Sequence, residues 1–264
     1  MTCGSAGKSL MDVEGSFGTL ERGRQNTPHR WLTTDPAMWK YAYSKPVIIR
    51  GITQNEQFRA LCSKQSLLQE FGNRLVRLST ANTYSYRKVD VPFKEYVEHM
   101  MKPQSLDSLG SDTFYFFGDN NFTEWDSLFR TYIQPPYQLP GTTGAYSFGI
   151  AGSGTGVPFH WHGAGYSEVI YGRKRWFLYP PEKTPEFHPN RTTLSWIFDT
   201  YPYLSEVDKP LECTIHPGEV SQNPCPFCTI CNSQGGQQKL VFTTEPSSSS
   251  PERSQYGGIA LSKR

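Results

Sequence analysis

No apolar run in this chain approaches the roughly 18 residues that a membrane span requires. The opening stretch MTCGSAGKSLMDVEGSFGTLERG is polar and glycine-rich. It has no apolar core, so no secretory signal is visible there. Neither sign of charge has a surplus: 26 Lys and Arg stand against 24 Asp and Glu, for a net charge of +2. That is too small and too evenly spread to predict nucleic-acid binding. The densest basic cluster, Arg173-Lys174-Arg175, suits the solvated tip of a hairpin equally well. GSGTG at 152–156 lacks a following Gly-Lys-Ser/Thr and reads as a loop rather than a phosphate cradle. No Ser–His or Cys–His nucleophile arrangement is evident. Histidine is scarce, with 6 in the chain and none beyond His216.

Aromatics, by contrast, reach 14%, and 23 glycines and 20 prolines interrupt the 264 residues. That mixture favours short strands and turns over long helices. Residues 1–28 have little to bury and read as disordered. PVIIRG at 46–51 is a buried strand closed by Gly51, and NEQFRALCSKQSLLQEFG at 55–72 is a helix stopped by Gly72. RLVRLST at 74–80 alternates as a strand, and FKEYVEHMM at 93–101 places Phe93, Tyr96, Val97 and Met100 on one helical face. TFYFFGD, AYSFGIAG, SEVIYG, RWFLYPP and LECTIHPGEV follow as strands, and TTLSWIFDTYPYL holds a helical turn or two. Helices followed by regularly spaced strands predict a jelly-roll or cupin-like barrel over 29–220. After Val220 only three aromatics remain, Phe227, Phe242 and Tyr256, and serine is abundant. Residues 221–264 therefore read as a low-complexity, mostly disordered tail in which KLVFTT is the one strand candidate.

GVPFHWHGAGYSEVIYGRKRWFLYPPEK places His160 and His162 two apart. On a strand that spacing projects both from one face. Two imidazoles could then serve one metal, or both could be hydrogen-bonded core residues. The run His-x-His, strand, Gly-Arg-Lys-Arg, aromatic strand and Pro-Pro resembles the JmjC (Jumonji C) segment of the 2-oxoglutarate oxygenases. KPVIIRG, RLVRLSTANTYSYRKVD, YFFGDNNFTEW and AYSFGIAG extend the resemblance over about residues 40–220.

The resemblance implies a double-stranded β-helix that uses Fe(II) and 2-oxoglutarate. His160 matches the first iron ligand, and His162 stands where the family has a carboxylate. Lys174 matches the anchor for the far carboxylate of 2-oxoglutarate, Tyr115 its helper, and Val157 replaces a threonine that relatives use for the same purpose. Downstream, the family carries a further ligand histidine on a later strand, whereas here HPGEV runs into SQNPCPFCTICNSQGG. The barrel is thus expected to lack its last strands, and the change at Val220 suggests an alternative or mispredicted transcript. Such open edges predict self-association.

The resemblance also points to the endoplasmic-reticulum lumen, since a member of the family that the chain resembles is luminal. The sequons Asn121-Phe122-Thr123 and Asn190-Arg191-Thr192 agree with glycosylation there, whereas the missing signal leaves a cytoplasmic location open. Cys225, Cys228 and Cys231 have zinc-knuckle spacing without a fourth ligand. Cys62 and Cys213 are either a disulfide or buried thiols. The reading is a non-catalytic or weakly active JmjC-type regulatory protein with protein partners, including a second copy of itself, and with no nucleic acid and no membrane span. An Fe(II)/2-oxoglutarate-dependent protein hydroxylase is the alternative.

Overall fold

Alternating burial along short strands sorts them into two sheets. The computed structural model describes residues 18–21, 41, 45–117, 125–136, 144–162, 165–180, 182–223, 227–234 and 241–246. The larger sheet runs, in spatial order, β1 (Gly18–Glu21), β2 (Val47–Arg50), β11 (Glu219–Asn223), β8 (Gly165–Val169), β13 (Val241–Pro246), β6 (Gly144–Ile150), β5 (Phe114–Phe117), β3 (Leu75–Thr80) and β4 (Lys88–Pro92). The smaller sheet runs β10 (Leu211–Ile215), β9 (Arg173–Tyr179), β12 (Phe227–Gln234) and β7 (Gly156–His162). The paired strands are antiparallel, apart from the parallel β1–β2 pair.

From β6 onward the chain passes between sheets: β6, β8, β11 and β13 lie in the larger, and β7, β9, β10 and β12 in the smaller. This is the winding of a cupin-like double-stranded β-helix. Two tight turns need glycine: Gly172 (φ +74°) between β8 and β9, and Gly218 (φ +81°) between β10 and β11. At the second, Glu219 N–H reaches the His216 carbonyl at 2.9 Å with Pro217 and Gly218 at the corner. That is the residue pair a type II turn demands.

The expectation of a barrel lacking its closing strands is corrected. β11 runs straight through the Val220–Ser221 junction, pairing Val220 with Ile49 and Ser221 with Ile48. β12 inserts between β7 and β9, and β13 between β6 and β8. The tail read as mostly disordered therefore supplies two central strands, and the open-edge argument for self-association falls with the gap it assumed. β12 reads FCTICNSQ, and its aromatic and β-branched residues suit a strand once neighbours pair both edges. The segment 1–28 contributes β1 at the margin of the larger sheet.

Helices cover the outer face of the larger sheet. The single helix expected over 55–72 is two, α1 (Glu56–Leu61) and α2 (Lys64–Phe71). Ser63 breaks it, because its hydroxyl accepts the Ser66 N–H at 3.2 Å and so caps α2. The helix expected over 93–101 begins as α3 (Phe93–Glu95) and widens into a π-turn at Tyr96–Met100. A fourth, α4, spans Asp126–Phe129. Between helices and sheet lie Phe58, Phe71, Phe93, Tyr96, Trp125, Phe116 and Phe148, all buried, with Phe71 and Trp125 stacked at 4.2 Å. On the outer face of the smaller sheet, α5 (Thr193–Asp199) packs Trp196 and Ile197 over Phe159, Phe177 and Tyr179. Between the sheets, Ile48, Val169, Trp176, Leu178, Cys213 and Ile215 form a third buried group. Among the described residues no helix is long and apolar enough to cross a membrane.

Candidate functional site

The inner face of the smaller sheet is fixed by β9, whose Trp176 and Leu178 pack between the sheets while Phe177 and Tyr179 pack outside. By the same alternation Lys174 belongs to the inner face. It is 5% exposed, its Nζ lies 3.7 Å from the centre of the Trp176 ring, and it donates to Ser167 Oγ at 3.3 Å. The basic cluster is therefore not a solvated hairpin tip. Arg175 turns outward to Glu212 at 2.6 Å and lies over Phe177. Burial alone would raise the Glu212 carboxyl, but bonds from Arg175 and Tyr201 hold it below the usual carboxylate range.

β12 carries the register across to β7: Thr229 stands beside both Leu178 and His160. Strand partners in register share a face, so His160 joins Lys174 on the inner side. The half-buried His160 ring places Nδ1 2.9 Å from the Pro158 carbonyl. His162 follows on β7 opposite Phe227, and its side chain lies outside the described residues. Pro158 and Phe159 together face the single residue Ile230, an irregularity that takes in a proline without a ladder N–H.

Tyr115 sits on β5 in register with Ser79, and its hydroxyl and Ser85 Oγ are 2.8 Å apart. Ser85 holds φ +47°, the only non-glycine positive φ among the described residues. Such a conformation costs on the order of 1–3 kcal/mol and persists where its surroundings over-determine it. Here the Tyr115 contact and the turn closed by Ser85 N–H on Asn82 O at 3.0 Å do so. Lys88 reaches Ser79 Oγ at 2.7 Å beside them.

A Fe(II) centre of the family type needs two imidazoles and a carboxylate on one face of the metal. β7 offers imidazoles at both positions of its His-x-His. β12, the strand lying against it, contains neither histidine nor carboxylate. Among the described residues no three His, Cys, Asp or Glu side chains converge as a metal site. The donor set does not fit the group: the His-x-His pair brings no carboxylate, and among the described residues no third anchor joins it.

The remaining sequence candidates separate. Cys62 and Cys213 are buried thiols outside any disulfide and in different core groups, which removes the disulfide alternative, and burial pushes the Cys62 thiol up. Cys228 and Cys231 lie along extended β12 rather than at a knuckle, and Cys225 lies outside the described residues. Asn121 also lies outside them. Asn190 is tied to residue 111: its Nδ2 donates to Ser111 Oγ at 3.3 Å, and its Oδ1 accepts the Ser111 N–H at 3.1 Å. Thr192 of that sequon caps α5 by accepting the Ser195 N–H at 3.2 Å.

Sequence reasoning missed one buried polar hub. Glu168 on β8, 1% exposed, accepts from Thr53 Oγ1 at 2.9 Å, Asn55 Nδ2 at 3.1 Å and Tyr132 OH at 2.8 Å. Asn55 also exchanges both amide bonds with the backbone of Ile133. Burial raises the Glu168 carboxyl despite these donors. The available signal was an acid set among apolar residues in SEVIY.

Among curated proteins, the chain is 68% identical over 193 residues to human (Homo sapiens) JmjC domain-containing protein 8, covering 73% of each chain. It is 26% identical over 247 residues to the Arabidopsis thaliana lysine-specific demethylase JMJ21, covering 78% of this chain and 23% of that one. Among solved structures it is similar to Escherichia coli ribosomal oxygenase YcfD, with TM-score 0.48 and 14% identity over 83% of this chain; it spans 52% of that one. No family model matches the chain.

Proposed function

The chain belongs to the JmjC-domain family, which includes the Fe(II)- and 2-oxoglutarate-dependent oxygenases, and from that premise we propose that it is a non-catalytic member acting as a regulatory interaction protein of the secretory pathway. The observation that carries this is the donor set: His160 and His162 on β7, with FCTICNSQ beside them on β12. Imidazole, thiolate and carboxylate set both the affinity and the open geometry of such centres, and two imidazoles hold a divalent ion too weakly to keep positions free for reaction. The two sequons support the luminal part of the reading. Two of the polar residues singled out above meet partners within the chain: Lys174 rests on Trp176 and Ser167, and Tyr115 on Ser85.

The alternative is a 2-oxoglutarate-dependent protein hydroxylase. Retention of His160 and of a buried Lys174 on one face of the smaller sheet favours it. Purified protein is incubated with Fe(II), ascorbate and 2-oxoglutarate beside the His160→Ala variant, and succinate release is followed. Equal background from both is expected. Turnover that His160→Ala abolishes overturns the non-catalytic reading. Glycosidase treatment of material from secreting cells reads out Asn121 and Asn190; an unshifted band removes the luminal part.

A further inference from the structure

We propose that the connection from α5 to β10 is a docking surface for an extended basic segment of another protein, one that carries an apolar side chain between its cations. This deepens the interaction-protein reading above and names where the partner sits.

Phe198 near the end of α5, and Tyr203 and Val207 on the connection that follows, are 56%, 83% and 77% exposed, three large apolar side chains within ten residues of chain. The other large exposed apolar side chains among the described residues, Leu75, Tyr86, Leu106 and Ile133, come singly from separate parts of the chain. An isolated exposed side chain is ordinary, whereas a grouped set marks an interaction site.

The presenting backbone is held firmly. Tyr201 and Leu204 pack inward against the cluster of Phe159, Phe177, Tyr179 and Trp196. Tyr179 OH donates to the Asp208 carbonyl at 2.8 Å, and Lys183 Nζ donates to the Val207 carbonyl. A preorganised surface binds without first losing its own conformational freedom.

Charge selects the occupant. Residues 182–209 carry five carboxylates and three cations in a chain whose net charge is +2. In sequence Asp199 adjoins Phe198, and Glu206 and Asp208 flank Val207; the Glu206 and Asp208 side chains are 87% and 61% exposed. Glu206 now pairs with Lys209 at 2.5 Å, and Asp208 with Lys183 at 3.8 Å and Ser205 Oγ at 2.6 Å; the two ion pairs are solvent-exposed and cost little to exchange for a partner's cations.

The test uses the full chain and two labelled pools of short synthetic peptides. One pool has Lys or Arg flanking a central Leu, Phe or Tyr; the other has Glu or Asp at the flanks. Fluorescence anisotropy should rise with the basic pool alone, and added salt should weaken it. The double variant Tyr203→Ser with Val207→Ser should bind about tenfold more weakly with an unchanged melting temperature. The variant Glu206→Gln with Asp208→Asn should lose the salt dependence. Equal binding of both pools, or binding indifferent to these substitutions, overturns the proposal. Sedimentation that reveals a dimer dissociated by Tyr203→Ser with Val207→Ser assigns the surface to a second copy and also overturns it. Absent peptide binding without oxygenase turnover removes the docking surface and leaves the non-catalytic reading standing; turnover removes that reading whatever the peptides do.

Discussion

Replacing Glu168 by alanine should be among the more damaging single changes outside the aromatic core. The carboxylate is buried and accepts from three side chains that arrive from the loop after β2, the residue preceding α1 and the segment after α4. Removing it strands those donors. A buried polar group left unsatisfied costs about 1–3 kcal/mol. The hydroxyls of Thr53 and Tyr132 can rotate, so the three penalties do not add in full, and we expect a total of about 3–4 kcal/mol. For a chain of this size that lowers the melting temperature by roughly 6–16 °C.

Glu168→Gln keeps an acceptor oxygen and removes the charge that burial disfavours, so it should cost about 1 kcal/mol or less. The pH dependence separates the two effects. Burial raises the carboxyl above its ordinary value of 4.5, so the fold prefers it protonated. Its contribution is therefore fully present below the unfolded value and is lost as pH rises through the raised folded one. Native protein should exceed Glu168→Gln in stability by more at acid pH than at neutral pH, measured by urea titration across that range. A gap that widens toward neutral pH would mean that the donors stabilise the ionised carboxylate, and the argument would fail.

Other expectations follow from particular contacts. Lys174→Ala removes an ammonium seated on Trp176 together with its buried stem, so it should cost about 1–2 kcal/mol and change tryptophan emission, whereas Lys174→Met should recover most of the stability. Ser63→Ala deletes the cap of α2 and should cost about 1 kcal/mol in a denaturant titration. Truncation after Asn223 removes β12 and β13, leaving β7, β9, β6 and β8 with unpaired edges. That chain should aggregate and lose its cooperative melt; a sharp monomeric transition would show that the two strands contribute little. Asn190→Gln should weaken the tie to Ser111 by about 1 kcal/mol by thermal melt, whether or not the site carries a glycan.

Local pattern identified most of the elements. PVIIRG, RLVRLST, TFYFFGD, AYSFGIAG and RWFLYPP became β2, β3, β5, β6 and β9, because each is β-branched or aromatic and ends at a turn residue. KLVFTT overlaps β13. The errors came where neighbours decide. Ser63 interrupts a helical period with a cap that periodicity does not register. β12 is polar and cysteine-rich in composition, and becomes a strand between β7 and β9, which both need a partner there.

The candidate site divides in the same way. His160 and His162 were legible as a pair from their spacing, and Lys174 through its place in Gly-Arg-Lys-Arg. Sequence alone also determined that no histidine follows His216, and hence that no imidazole lies on the strand against the pair. Tertiary structure decided the rest. It turned Lys174 inward onto Trp176 while sending Arg175 outward to Glu212, and it separated Cys62 from Cys213 into different cores. It also gathered Thr53, Asn55 and Tyr132 around Glu168. Side-chain identity and short spacing are properties of the chain itself, whereas burial and partnership arise only when strands distant in sequence pair, because that pairing removes water from one face and leaves the other wet.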